Sequence, residues 1–317
     1  MKLAAFRSDG RARVGAVTGE DVLDITGAWT SLMRGDNGPA PSTLLDLLNR
    51  PGALPRLSAG ISGASAAVVR AHRTSLGSVS LRAPLADCGK LICVASNYTA
   101  HIVEAGQQAP TDRHAYTPWL FLKPITSIIG HGAPIPVPRS GQAIDWEVEL
   151  AAVIGRPGKH IPVDQALDHV GGYTIVNDVS ERRFKAPPDR QAREWDKFFD
   201  WQHGKWFDGF APMGPFLVTA DEIPDPQNLT LELRLNGRVR QHGSTASMIY
   251  SVAELVSFAS SIMTLQPGDI IATGTPQGVG SAAGEFLRPG DTIECEVEGL
   301  NVLSNPVRAE DQLVEVR

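Results

Sequence analysis

Residues Ile144-Asp145-Trp146-Glu147-Val148-Glu149-Leu150 set three carboxylates in alternation with apolar side chains. With a side-chain period of two, Ile144, Trp146, Val148 and Leu150 share one face of a strand, and Asp145, Glu147 and Glu149 the other. Glu147 and Glu149 then project the same way, about 6.6 Å apart along the strand. A half-buried strand with its acidic face in solvent is the ordinary reading of such a pattern. The continuation Ala151-Ala152-Val153-Ile154 drops the polar alternation, however, which places the strand deep. Carboxylates held side by side away from water repel unless one is protonated or a cation neutralises them. A third, Asp178, ends another apolar run, Tyr173-Thr174-Ile175-Val176-Asn177. No Cys or His accompanies the three. Glu147, Glu149 and Asp178 therefore describe a hard, all-oxygen site suited to Mg²⁺, Mn²⁺ or Ca²⁺ rather than zinc. Three protein oxygens leave about three octahedral positions for water and substrate, the coordination of a catalytic ion.

The elements that must position these groups fall into two stretches, 1–85 and 86–317. In the first, Leu3 to Phe6 and Ala12 to Val17 flank a turn at Ser8-Asp9-Gly10, and Val22 to Ile25 adds a third strand. Ser42 is placed to cap a short helix through Leu44 to Leu48 that stops at Pro51-Gly52, and Ala64 to Ala71 forms a second helix. The first stretch is thus a small α+β unit. From Leu91 onward, strands are expected at 91–95, 119–122, 144–154, 173–178, 229–235, 269–273 and 291–297, with one clear helix over 252–263. The second stretch is predominantly β.

Composition narrows the function classes. The 317 residues carry 29 Lys and Arg against 35 Asp and Glu, a net charge of −6. That balance lacks the basic stripe a nucleic-acid binder needs. A hydrophobic content of 42 % with 20 % charge describes a folded globular chain, not a disordered one. The 31 glycines and 23 prolines exceed the usual share of about 12 %, pointing to many turns and short strands. No apolar run approaches the ~18 residues of a membrane helix, and the charged start Met1-Lys2-Leu3-Ala4-Ala5-Phe6-Arg7 suits no signal peptide. Cys88, Cys93 and Cys295 are odd in number and contain no CxxC pair. Reduced thiols in a cytoplasmic protein are expected, not a disulfide framework. No GxSxG elbow supplies a serine nucleophile, and Gly278-x-Gly280 lacks the βαβ setting of a dinucleotide site.

Beyond the carboxylates, an ordered set of short elements stands out: Asn97-Tyr98-(x)₂-His101-(x)₂-Glu104, Phe121-Leu122-Lys123-Pro124, Asp145-x-Glu147-x-Glu149-Leu150, Asn177-Asp178-Val179-Ser180, Gly204-Lys205-x-Phe207-Asp208 and Thr273-Gly274-Thr275-Pro276-x-Gly278-Val279-Gly280. Each is weak alone, but in this order they are specific. From Leu91 to the C-terminus the chain resembles the fumarylacetoacetate hydrolase family, and its first stretch resembles the small domain that precedes this fold in many members. The resemblance implies a mixed β-roll, usually a homodimer, with Mg²⁺ or Mn²⁺ on Glu147, Glu149 and Asp178. It further implies a His101–Glu104 dyad, an active-site lysine at Lys205, and substrate contacts from Tyr98, Arg182 and Thr275. Near Arg182 the sequence departs from the common pattern, with Lys185 where a glutamine is frequent. Small 1,3-dioxo acids such as acylpyruvates, cleaved between carbons with addition of water, are the implied substrates, in the catabolism of aromatic or related compounds. Related members isomerise, tautomerise or decarboxylate similar acids.

The residues agree with these roles. On a helical turn His101 and Glu104 share a face, so Glu104 can fix the imidazole tautomer and leave the other nitrogen as a base. Lys205, among Trp201, Trp206 and Phe207, is placed for partial burial, where its charge can stabilise an enolate or oxyanion. The 273–280 loop offers amides that could cradle a substrate carboxylate, or serves only as a turn. Phe184, Trp195, Phe198, Phe199 and Trp201 form either a roof favouring a bulky apolar acyl group or a subunit contact. A binding protein that merely keeps the metal site is the reading from another class; the His101–Glu104 pair weighs against it.

Overall fold

The computed structural model describes residues 1–36, 38–112, 115–187 and 189–316. It is a strand-dominated α+β structure of several sheets, without a closed barrel. The largest sheet runs from Arg73–Ser75 through Asp21–Asp24, Arg11–Thr18, Lys2–Ser8, Ala211–Thr219, Val170–Asn177, Val148–Ile154, Ile270–Ala272 and Leu91–Ala95 to Trp119–Lys123. Lys2 and Leu3 pair with Val218 and Leu217, so this sheet runs on across the expected boundary near residue 85. A five-stranded sheet, in the order Arg238–Ser244, Thr230–Leu235, Thr292–Val297, Asn301–Ala309 and Ile135–Val137, packs on one face of the large sheet.

Burial explains why the central strand loses its alternation. All seven residues of Val148–Ile154 are buried. Val148, Leu150 and Ala152 face a core shared with Leu231, Leu233 and Cys295 of the smaller sheet. Ala151 and Val153 face a second core under the helices Ile25–Leu32 and Leu44–Leu48. A strand covered on both sides needs apolar side chains at every position. The helix Val252–Ile262 closes the first core with Val252, Leu255, Val256 and Ala259, and starts at a capping box between Ser251 and Glu254.

Several expectations are corrected. The strand expected over 144–154 is interrupted: Ile144–Asp145 pairs with Ser180–Glu181, and the central strand starts at Val148. In the gap, side chains replace ladder partners, Asp145 accepting from the Trp146 amide at 2.8 Å and Asn177 from the Glu147 amide at 2.9 Å. The helix Leu44–Leu48 is capped by Thr43, not Ser42; Ser42 instead donates its hydroxyl to Asp46. The third strand ends at Asp24, whose carboxylate caps the helix Ile25–Leu32. Pro51-Gly52 stops one helix and directly precedes another, Ala53–Ser62. The strands Ala211–Thr219, Arg238–Ser244 and Asn301–Ala309 and the helix Asp196–His203 are additions to the sequence reading. No helix among the described residues is long and apolar enough to cross a membrane.

Candidate active site and metal centre

Register alone brings the three carboxylates together. Val148 lies opposite Asn177 in the antiparallel ladder, so the residues flanking that pair, Glu147, Glu149 and Asp178, meet at one end of it. The Asp178 amide donates to the Glu147 carbonyl at 2.9 Å. One oxygen from each of Glu147, Glu149 and Asp178 lies within 4.8 Å of the others, and all three residues are buried.

Three cations face this cluster. Lys205 Nζ donates to Glu147 Oε2 and Asp178 Oδ2, both at 2.6 Å. Lys123 Nζ donates to Asp178 Oδ1 at 2.6 Å and to the Val179 carbonyl at 3.0 Å. Arg182 donates to Asp145 Oδ2 at 2.7 Å and to Glu147 Oε1. Lys205 is fully buried rather than partly so, with its ammonium 5.4 Å from the Phe121 ring centre and 5.9 Å from that of Trp201. The residue before it is necessarily glycine, because a Cβ on Gly204 would sit 2.3 Å from the Glu181 carbonyl oxygen.

The resulting field is uneven. Burial pushes the Glu147 carboxyl up, but Lys205 and Arg182 outweigh it and bring it down to about 2. Glu149 is held well above the usual range by burial and by the charges of Asp178 and Glu147, against one hydrogen bond from the Gly274 amide at 2.9 Å. Burial lowers Lys123 despite Asp178 beside it. Near Glu149 the cluster is short of positive charge.

The dyad lies alongside. On the helix Thr99–Glu104, His101 Nδ1 is 2.8 Å from Glu104 Oε1, and Glu104 Oε2 accepts from the Gly278 amide at 2.8 Å. His101, Glu104, Arg182 and Trp201 line one cavity of about 440 Å³, and His101 is near enough to act electrostatically on Glu147. Tyr98 is buried, and its hydroxyl has no hydrogen-bond partner among the described residues. Burial and the Glu149 charge both raise it.

The glycine-rich loop cradles carboxylates, but they are the protein's own. Gly274 N–H binds Glu149, Gly278 N–H binds Glu104, and the amides of Gly280 and Ser281 bind Asp145. Thr275 is likewise engaged within the scaffold, donating to the Val148 carbonyl and accepting from Gln241 Nε2, each at 2.9 Å. Of the aromatic segment, Trp201 reaches the cavity and stacks edge-on against Phe121 at 5.0 Å. Phe198 and Phe199 are about half exposed. Sequence reasoning left Lys123, Asp145 and Gln241 without a part in the site. Lys123 had a signal in Phe121-Leu122-Lys123-Pro124; Gln241 had none.

A divalent cation fits the residues present. The donors are three convergent carboxylate oxygens, burial and two neighbouring carboxylates leave Glu149 short of positive charge, and the buried Tyr98 hydroxyl has no hydrogen-bond partner among the described residues.

The model of the family described as "Fumarylacetoacetate (FAA) hydrolase C-terminal" matches residues 90–308. An oxaloacetate tautomerase of Xenopus laevis, described as mitochondrial, is 42 % identical over 238 residues, covering 74 % of this chain and 70 % of that protein. Among solved structures, a fumarylacetoacetate hydrolase from Exiguobacterium antarcticum matches with a TM-score of 0.76 at 34 % identity, over 98 % of this chain and all of the other. A maleylpyruvate hydrolase from Sphingobium sp. SYK-6, solved with manganese(II) and pyruvate, matches with a TM-score of 0.73 at 29 % identity, over 98 % and 99 % of the two chains. In sequence and in fold, this chain belongs to the fumarylacetoacetate hydrolase family, a family of enzymes.

Proposed function

We propose that the chain is a divalent-metal-dependent hydrolase cleaving the C–C bond between the two carbonyls of a 1,3-dioxo acid of the acylpyruvate type. The observation that carries this reading is the His101–Glu104 pair, anchored by the Gly278 amide on the wall of a cavity that it shares with Arg182. Mg²⁺ or Mn²⁺ on Glu147, Glu149 and Asp178 would supply Lewis-acid polarisation at the 2-oxo acid end of the substrate. With Nδ1–H given to Glu104, His101 Nε2 is the basic nitrogen and takes a proton from water. The water oxygen adds to the distal carbonyl carbon. The bond from that carbon to the methylene then breaks, and its electron pair passes into the enolate of the departing pyruvate unit. His101 returns the proton to the methylene carbon, giving a carboxylic acid and pyruvate. The Lys205 ammonium stabilises the enolate charge, and Arg182 and the Tyr98 hydroxyl orient the acid. That the maleylpyruvate hydrolase structure is a complex with manganese(II) and pyruvate supports that product.

The frog tautomerase favours a second reading, in which His101 only removes and returns the methylene proton of an oxaloacetate-like acid. Incubating the Mg²⁺-loaded protein with acetylpyruvate and with oxaloacetate separates the two. Release of acetate and pyruvate is expected; accelerated enolisation of oxaloacetate with no cleavage of acetylpyruvate would overturn the hydrolase reading. His101→Ala should bind Mg²⁺ normally and lose about 10²–10⁴-fold in cleavage. A cytoplasmic homodimer completes the proposal, supported by the half-exposed rings of Phe198 and Phe199, and light scattering on the purified protein tests the dimer.

A further inference from the structure

Of the carboxylates at 145, 147, 149 and 178, only the last three converge as donors to a cation. Asp145, fully buried, belongs to a different arrangement. The two-residue ladder of Ile144 and Asp145 with Glu181 and Ser180 ends beside Arg182, whose amide donates to the Ala143 carbonyl at 3.0 Å. That ladder sets the Arg182 guanidinium against the Asp145 carboxylate. Asp145 Oδ1 accepts from the amides of Trp146 at 2.8 Å and Gly280 at 2.6 Å. Oδ2 accepts from Arg182 Nε at 2.7 Å and from the Ser281 amide at 3.2 Å. Four donors around two oxygens make a fixed anion. The loop is shaped to it: a Cβ on Gly280 would lie 2.8 Å from Asp145 Oδ1 and 2.2 Å from the Glu285 carbonyl oxygen, so only glycine fits.

These contacts divide the guanidinium. Nε is given to Asp145 and Nη2 to Glu147 Oε1, while Nη1 has no hydrogen-bond partner among the described residues. The side chain is 18 % exposed and lines the cavity that holds His101 and Glu104. Because the five N–H donors lie in one rigid plane, fixing Nε fixes the direction of the others. Glu147, the second anchor, also serves Lys205 and is a candidate ligand of the ion. Left with Glu147 alone, the guanidinium can turn to bind that carboxylate with two parallel hydrogen bonds, and Nη1 is then spent.

Resting on the reading of the substrate as a 2-oxo acid, we infer that Asp145 is a positioning residue for Arg182. It holds the guanidinium, before the acid arrives, in the orientation that leaves Nη1 free to bind the acid's carboxylate. Asp145 itself touches no substrate. Ordering the receiving side chain in advance spares the acid that cost on binding. A merely structural Asp145 would act elsewhere. Gly278, two residues before Gly280, donates to Glu104, so a disturbed loop would reach the dyad and lower kcat. Loss of positioning at Arg182 raises KM instead.

The test compares calorimetry of pyruvate binding with acetylpyruvate kinetics, both on the Mg²⁺-loaded protein. In Asp145→Asn the amide oxygen can keep the Trp146 and Gly280 amides, and its NH₂ group then faces Arg182 Nε, donor against donor. Pyruvate affinity should fall about 10–100-fold, the worth of a hydrogen bond to a charged group, and KM should rise in step with kcat far less affected. Arg182→Met should show the same loss, and adding Asp145→Asn to it should cost nothing more. A fall in kcat with pyruvate affinity unchanged, or equal losses in both backgrounds, overturns the inference. Should Asp145→Asn fail to fold, the wild-type protein decides by ¹⁵N spectroscopy in chelator with no acid present. The Arg182 Nε–H, assigned by its loss in Arg182→Met, should resist hydrogen exchange; rapid exchange that slows only when Mg²⁺ and pyruvate are added overturns the inference. Pyruvate results as expected, with no cleavage of acetylpyruvate by wild type, support the positioning role and overturn the hydrolase reading alone. Wild-type protein that binds no pyruvate overturns both.

Discussion

Gln241 accepts a hydrogen bond from the Val148 amide at 3.0 Å, although the two residues lie on different sheets. Its Nε2 donates to Thr275 Oγ1 at 2.9 Å and to the Pro276 carbonyl at 2.8 Å. One fully buried amide therefore joins the peptide unit between Glu147 and Glu149 to the loop whose amides hold Glu149 and Glu104.

Gln241→Ala should accordingly act on the metal centre without touching it. It leaves the Val148 amide buried and unpaired, at a cost of about 1–3 kcal/mol. Metal affinity should fall about 10–100-fold, as when other groups behind a metal site are removed. Thermal melts with and without chelator, together with Mg²⁺ calorimetry, check both effects. Unchanged affinity at a lowered Tm would reduce Gln241 to a packing residue.

The three carboxylates should not be equivalent. Each replacement by its amide, Glu147→Gln, Glu149→Gln or Asp178→Asn, should abolish metal binding and turnover. In chelator the stabilities diverge. Glu149 accepts from the Gly274 amide and makes no ion pair among the described residues, so an amide there strands no cation and Tm should stay near wild type. Asp178→Asn strips the partner shared by Lys123 and Lys205 and should cost about 3–5 kcal/mol. Equal Tm values for these two variants would count against the charge arrangement.

Acid should loosen the helix Asp196–His203 before the sheets. Asp196 is lowered to about 2 by the Arg193 amide and by the guanidinium groups of Arg193 and Arg190. A carboxyl with a depressed folded-state pKa stabilises fully above its unfolded value near ~3.9 and loses that contribution as pH falls toward about 2. Between pH 4 and pH 2, hydrogen exchange in 196–203 should quicken relative to Val148–Ile154, and Asp196→Asn should remove the pH-dependent part. A segment whose exchange tracks the central strand would refute this.

How far this was legible in the sequence depended on whether the cause was periodic. Glu147 and Glu149 announce themselves because alternation survives up to Leu150, and Asp178 because it ends an apolar run. The break at Trp146 and Glu147 was invisible, since the side chains of Asp145 and Asn177 replace the ladder there and leave no mark on the period. Ala211–Thr219 is a fully buried strand that carries Pro212, Gly214 and Pro215, residues that read as turn punctuation. One cavity is lined both by Trp119 and by Ile249 and Tyr250, which arrive from far along the chain, and no local pattern encodes that meeting.

The pairing of Lys2–Ser8 with Ala211–Thr219 also sets a timetable for synthesis. The Thr219 amide donates to the Met1 carbonyl across 218 positions of chain. At about 5–20 residues per second, the first strand waits some 10–40 s for this partner to leave the ribosome. Arg11–Thr18 can pair with one of its edges at once, and Ser80–Leu81 covers the other edge at Phe6 and Arg7, but the Lys2–Leu3 end of that edge stays open through the interval, a template for any passing extended chain. Until residue 219 has emerged, the Lys2–Leu3 end of the first strand is the exposed edge of the growing chain.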